Sequence, residues 1–142
     1  MEKDRVSANS KSEIFATLKE ALLEKDGIIF AYLHGSYLEG SLYNDVDIAL
    51  YLDETKIDYK EIPGYCDGLN LELSELIRFV VDVHALNRAP VGFLHSVFKH
   101  GRMLFSRDDE FRSDLIESTS LEIMDYYELS LENIRDMVYD GN

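Results

Sequence analysis

Six residues, Ile28-Ile29-Phe30-Ala31-Tyr32-Leu33, follow Gly27 without a charge or a break. Apolar, β-favouring side chains at both parities cannot share one core, so the segment predicts a strand covered on both faces. The next pattern is of a different kind. From Asp45 to Leu52 the residues alternate: Val46, Ile48, Leu50 and Leu52 share one face, while Asp45, Asp47, Ala49 and Tyr51 share the other. Two strands of this kind need helices around them, which predicts an α/β or α+β domain with a small mixed sheet.

The rest of the chain supplies those helices. Ser10-Lys11-Ser12-Glu13 fits a capping box, with Ile14, Leu18 and Leu22 at helical spacing until Gly27. Gly35, Gly40 and Asn44 mark a connection. Pro63-Gly64 is expected to break the next segment, with a helix from Tyr65 to Leu76. Arg78 to Ala85 alternates again, with Phe79, Val81, Val83 and Ala85 opposite Val80, Asp82 and His84. A short helix is expected between Pro90 and His100, closed by Gly101, and then a strand from Arg102 to Ser106. From about Asp108 to Tyr139 there is neither Gly nor Pro, which predicts a long C-terminal helix.

A chain of 142 residues builds one core but not two. A single domain over 1–142 is expected, its core spanning about 12–107 and its C-terminal helical segment about 108–139. Apolar residues make up 46% of the chain, which predicts an ordered fold. No apolar run approaches the roughly 20 residues of a membrane span. The N-terminal Met1-Glu2-Lys3-Asp4-Arg5 does not lead into an apolar segment, so no secretory signal is expected. Cys66 is the lone cysteine and suits a reducing cytoplasm. The net charge is −14, which repels a nucleic-acid backbone and favours metal ions or a basic protein partner.

The residues that carry chemistry lie between the first two strands. Leu33-His34-Gly35-Ser36 is followed by eight residues and then Asp45-Val46-Asp47. Carboxylates at i and i+2 face the same way, with Cα atoms roughly 6.6 Å apart. They can converge on a pair of cations about 3.5–4 Å apart, the geometry of two-metal nucleotidyl transfer. Hard oxygen ligands select Mg²⁺ or Mn²⁺. Gly35 lets a phosphate approach the backbone, and the Ser36 hydroxyl with neighbouring N–H groups can hold it. Asp82, an acid inside an apolar strand, is the candidate third carboxylate and base. Alone, a Gly-Ser turn or an Asp-x-Asp says little. Their order, with a later strand aspartate, is what points to transfer chemistry. His84, two residues from Asp82, is open to a place in the site but reads first as a histidine at a polar strand edge, His34 as a buttress for the loop, and Cys66 as a partly buried apolar side chain.

Gly35-Ser36 with Asp45-x-Asp47 resembles the signature of the polymerase β-like nucleotidyltransferases in their minimal form, MNT. Val81-Asp82-Val83-His84-Ala85-Leu86-Asn87-Arg88-Ala89-Pro90 is similar to the segment around the third catalytic aspartate of MNT-type antitoxins. Gly101-Arg102-Met103-Leu104-Phe105 and the helical end with Tyr126 and Tyr127 look like them as well. The resemblance implies the polymerase β-like fold and a Mg²⁺-dependent enzyme that transfers AMP from ATP to a hydroxyl, expected to be a tyrosine's, of a partner HEPN-domain toxin. It implies Asp45, Asp47 and Asp82 as catalytic metal ligands, with Gly35 and Ser36 binding the nucleotide. The loop Tyr37-Leu38-Glu39-Gly40 lacks the arginine that many members carry there, which leaves metal to compensate, with Lys99, Arg78 or Arg88 in reserve.

Two rival readings are transfer to a small molecule, and an antitoxin that neutralises its partner by binding alone. The first usually needs an added helical domain, for which about 60 residues after Asp82 leave little room. Met124, Tyr127, Leu131, Ile134 and Val138 form an apolar stripe on a helix that, counted from Asp114, would be roughly 39 Å long. Part of it is expected in the core, and the distal end on a second copy of the chain or on the toxin.

Overall fold

A computed structural model describes residues 10–34 and 46–140. In chain order the elements are α1 (Ser10–Leu23), β1 (Ile28–His34), β2 (Val46–Leu52), a 3₁₀ turn (Tyr59–Glu61), α2 (Ile62–Ile77), β3 (Val81–Ala85), α3 (Val91–His100), β4 (Arg102–Ser106) and α4 (Asp109–Asp140). The strands form one mixed sheet in the order β3-β2-β1-β4. β1 is antiparallel to both β2 and β4, and β2 is parallel to β3. The crossover from β2 to β3 carries α2, as parallel neighbours require.

Both faces of the sheet are covered, which explains why β1 is apolar at both parities. On one face Ile14, Leu18 and Leu22 of α1 and Cys66, Leu69 and Leu73 of α2 pack on Val46, Ile48, Leu50, Leu52, Val81 and Val83. On the other, Phe93, Val97 and Phe98 of α3 and Phe111 and Leu115 of α4 surround Phe30, Tyr32 and Ala49. The alternation of β2 is thereby realised: its aliphatic parity meets α1 and α2, and its Asp47–Ala49–Tyr51 parity faces the aromatic side.

Three local features differ from the sequence expectation or sharpen it. Pro63 does not break α2; it stands in the first turn, where a missing N–H costs nothing, and the helix begins at Ile62. The strand expected from Arg78 begins at Val81, because Arg78 adopts a left-handed φ of 61° and donates its N–H to Ser74 as the cap of α2. Gly101 closes α3, where a Cβ would stand 2.5 Å from the Val97 carbonyl oxygen.

Side chains finish what the backbone leaves open. Asn87 accepts from the Leu52 N–H at 2.9 Å and donates to the Leu52 carbonyl at 2.8 Å, continuing the β2–β3 ladder past its end. The outward N–H groups of β3 are taken by α2: Ser74 Oγ accepts from Val81 at 2.9 Å and Asn70 Oδ1 from Val83 at 2.6 Å. Arg107 donates to the carbonyls of Leu23, Lys25 and Ile28, tying the end of α1 to the start of β1.

Candidate metal centre

The centre lies where β1 ends and β2 and β3 begin. Val46 and Ile48 on β2, like Val81 and Val83 on β3, are buried against α1 and α2. This obliges the intervening Asp47 and Asp82 onto the opposite face, since a slip of one residue would turn both carboxylates into the aliphatic core. Asp47 and Asp82 are register partners in the parallel pair, and His34 is the register partner of Asp47 in the antiparallel one. His34, Asp47 and Asp82 therefore form one row across three strands, with His84 two residues beyond Asp82 on the same face.

The side chains converge. One ligand atom from each of Asp47, Asp82 and His84 lies within 4.8 Å of the others. His84 Nε2 is 3.0 Å from Asp82 Oδ2, with the two side chains 42% and 46% exposed, so the cluster is open to incoming ligands. Phe93 of α3 stands edge-on to both imidazoles, its ring centre 5.5 Å from that of His34 and 5.9 Å from that of His84. Burial lowers the pKa of His34 below the ordinary histidine range; nearby His84 adds to the effect and Asp82 opposes it. The buried Nε2 of His34 has no hydrogen-bond partner among the described residues.

These residues fit a divalent cation. The two carboxylates suit a hard cation such as Mg²⁺ or Mn²⁺, and the imidazole nitrogen is a softer donor that Mn²⁺ accepts more readily than Mg²⁺. Octahedral ligands about 2.1 Å from a small cation are separated by about 3–4.2 Å, a spacing the cluster can accommodate. Two carboxylates this close repel each other unless a cation or a proton intervenes.

Of the residues singled out in the sequence, Asp47 and Asp82 are brought together. Asp45, Gly35 and Ser36 lie outside the described residues. His84, read as a polar-edge residue, sits in the cluster; its signal was the i, i+2 spacing from Asp82. Arg88 is engaged elsewhere, 3.0 Å from Glu54 and stacked 3.6 Å over the Tyr59 ring, and Arg78 caps α2. Cys66 is buried in the aliphatic cluster, where desolvation raises its thiol pKa. A cleft of about 550 Å³ between α1 and α2 shares no residue with the centre, and Glu20, Glu24, Glu72 and Glu75 in its lining do not suit a polyphosphate.

Residues 16–110, more than half of the chain, match the family model of polymerase β nucleotidyltransferases. The chain belongs to that family. The matched span of this nucleotidyltransferase includes Asp47, Asp82 and His84 and ends near the start of α4. Nothing among curated proteins matches the sequence. Solved structures give the same fold at low identity. A chain of a toxin–antitoxin with AMP-PNP superposes with a TM-score of 0.64 at 20% identity, over 88% of this chain and 98% of that one. A chain of the MntA–HepT toxin–antitoxin gives 0.58 at 18%, over 92% and 97%. A third, from the tri-AMPylated Shewanella oneidensis HEPN toxin in complex with MNT antitoxin, gives 0.58 at 21%, over 86% and 97%. No helix among the described residues is long and apolar enough to cross a membrane.

Proposed function

We propose that this nucleotidyltransferase transfers AMP from ATP to a tyrosine hydroxyl of a HEPN-domain toxin and acts as its antitoxin. The observation that carries the reading is the convergence of Asp47, Asp82 and His84 within 4.8 Å in a member of this family. The likeness in fold to chains of toxin–antitoxin assemblies supports the choice of partner. Asp45 and Asp47 at i, i+2 supply carboxylates from β2 and its approach, Asp82 supplies the third from β3, and Gly35 and Ser36 cradle the triphosphate. Mg²⁺, or Mn²⁺, when held there neutralises negative charge on the phosphates.

Asp82 takes the proton of the incoming hydroxyl, whose oxygen forms a bond to the α-phosphorus as the bond to pyrophosphate breaks. His84, whose Nε2 lies 3.0 Å from Asp82 Oδ2, offers the imidazole donor beside that carboxylate. Phe93 walls one side of the site, edge-on to both histidine rings. Little beyond positioning and charge neutralisation is asked of the protein, so a small domain suffices. The net charge of −14 disfavours nucleic acid and suits a basic protein partner in the cytoplasm.

The test is intact-mass measurement of a purified HEPN-domain toxin from the same genome after incubation with ATP and Mg²⁺. Added AMP is expected with the wild-type chain and not with Asp47→Asn. Silencing of the toxin without a mass change means neutralisation by binding alone, and transfer to a small molecule instead means that the acceptor is wrong.

A further inference from the structure

Packing on the body of the chain ends early in α4. Phe111 and Leu115 join the aromatic cluster and Thr119 is buried, but none of residues 120–138 is. The stripe expected to lie partly in the core lies outside it: Met124 is 61% exposed, Tyr127 65%, Leu131 52% and Ile134 56%. Their spacing of three, four and three sets them along one face of the helix, as an apolar seam requires. From Leu121 to Val138 the helix extends about 26 Å. Most helical stability comes from packing of an apolar face, which this segment lacks on its own chain and a second surface would supply.

The charge on this segment decides the occupant. Residues 121–138 carry Glu122, Asp125, Glu128, Glu132 and Asp136 against Arg135 alone, a net charge of −4. A second copy would set two such segments side by side, on chains that each carry −14, and like charges across a seam oppose pairing. A helix with an apolar seam and basic flanks meets both the hydrophobic stripe and the charge. We propose that the distal half of α4 is a docking seam for a basic amphipathic helix of a partner protein. The proposal rests on the reading that the chain acts on another protein, and it names where that protein is held.

Calorimetric titration with synthetic three-heptad peptides tests it, one with leucine core positions and lysine flanks, the other with glutamate flanks. The lysine peptide is expected to bind with an affinity that falls as salt rises, and the glutamate peptide at least tenfold more weakly. The double variant Leu131→Asp/Ile134→Asp should weaken binding of the lysine peptide and of the HEPN-domain toxin at least tenfold. Both side chains are exposed, so its fold and its melting shift with ATP and Mg²⁺ should be unchanged. Equal binding of both peptides, no binding of either, or a dimer of the chain alone that the variant dissolves would overturn the proposal. Peptide binding without any ATP–Mg²⁺ shift leaves the seam standing and removes the transferase reading instead.

Discussion

Asp47 and Asp82 are register partners across the parallel β2–β3 pair, so residues far apart in sequence set two carboxylates side by side. Hydrophobic packing on the reverse face holds them there, and their mutual repulsion is a cost the fold carries. Replacing Asp47 by asparagine should abolish AMP transfer, a loss of at least 100-fold being expected on the scale of general-base and charge-stabilising groups. The same variant should melt at or slightly above the wild-type temperature without metal. Near-normal turnover of Asp47→Asn would remove Asp47 from the centre.

Because the centre gathers two carboxylates, nucleotide binding there should depend on metal. ATP with Mg²⁺ at about 100 times its dissociation constant stabilises the folded chain by about 2.7 kcal/mol, a melting shift of roughly 5–10 °C for a domain of this size. ATP with chelator should give little or none. Equal shifts would mean that protein groups hold the phosphates. His84→Ala should lower the shift with Mn²⁺ more than with Mg²⁺, because imidazole is the softer donor.

Asn87 is buried and brackets both polar groups of Leu52. Asn87→Ala strands a buried N–H and a buried carbonyl, which at about 1–3 kcal/mol for each unsatisfied group predicts a loss of about 2–6 kcal/mol. Urea denaturation checks this, with Lys19→Ala on an exposed face of α1 as a control expected to stay within about 0.5 kcal/mol. A loss below about 1 kcal/mol would show that water satisfies Leu52 instead.

Burial raises the Cys66 thiol pKa, with Asp67 adding to the shift. The folded state therefore holds its proton to higher pH than the unfolded chain. This contribution to stability is fully present below the unfolded thiol's pKa and lost as pH rises through the folded one. Wild-type stability relative to Cys66→Ala should fall between those two values. Alkylation of native Cys66 by iodoacetamide at pH 8 should also be slow and should accelerate in denaturant. Fast labelling of the native chain would place the thiol in solvent.

Much of this was legible in the sequence where one physical pattern dominated. The double-sided apolarity of Ile28 to Leu33, the alternation of Asp45 to Leu52 and the uninterrupted C-terminal helix each had a single reading. The errors fell where two rules competed. Pro63 looked like a break because the sequence did not show that it would occupy the first turn. Arg78 and Phe79 continued the alternation of β3 by coincidence, and the left-handed cap that ends α2 interrupts it. Spacing alone drew Asp82 and His84 onto one face but could not bring them within reach of Asp47, because that depends on the β2–β3 register. The stripe from Met124 to Ile134 was visible as apolar, yet periodicity does not say whether a core lies beneath it.

Asn70 and Ser74 have an effect beyond the strand they touch. By accepting from Val83 and Val81 they occupy the amides that an added strand would use, so α2 seals the β3 border of the sheet. Intruding strands find no template there, neither from a partner peptide nor from another copy during folding at high concentration. Growth of the sheet into a fibril is blocked on that side by two side chains of modest size.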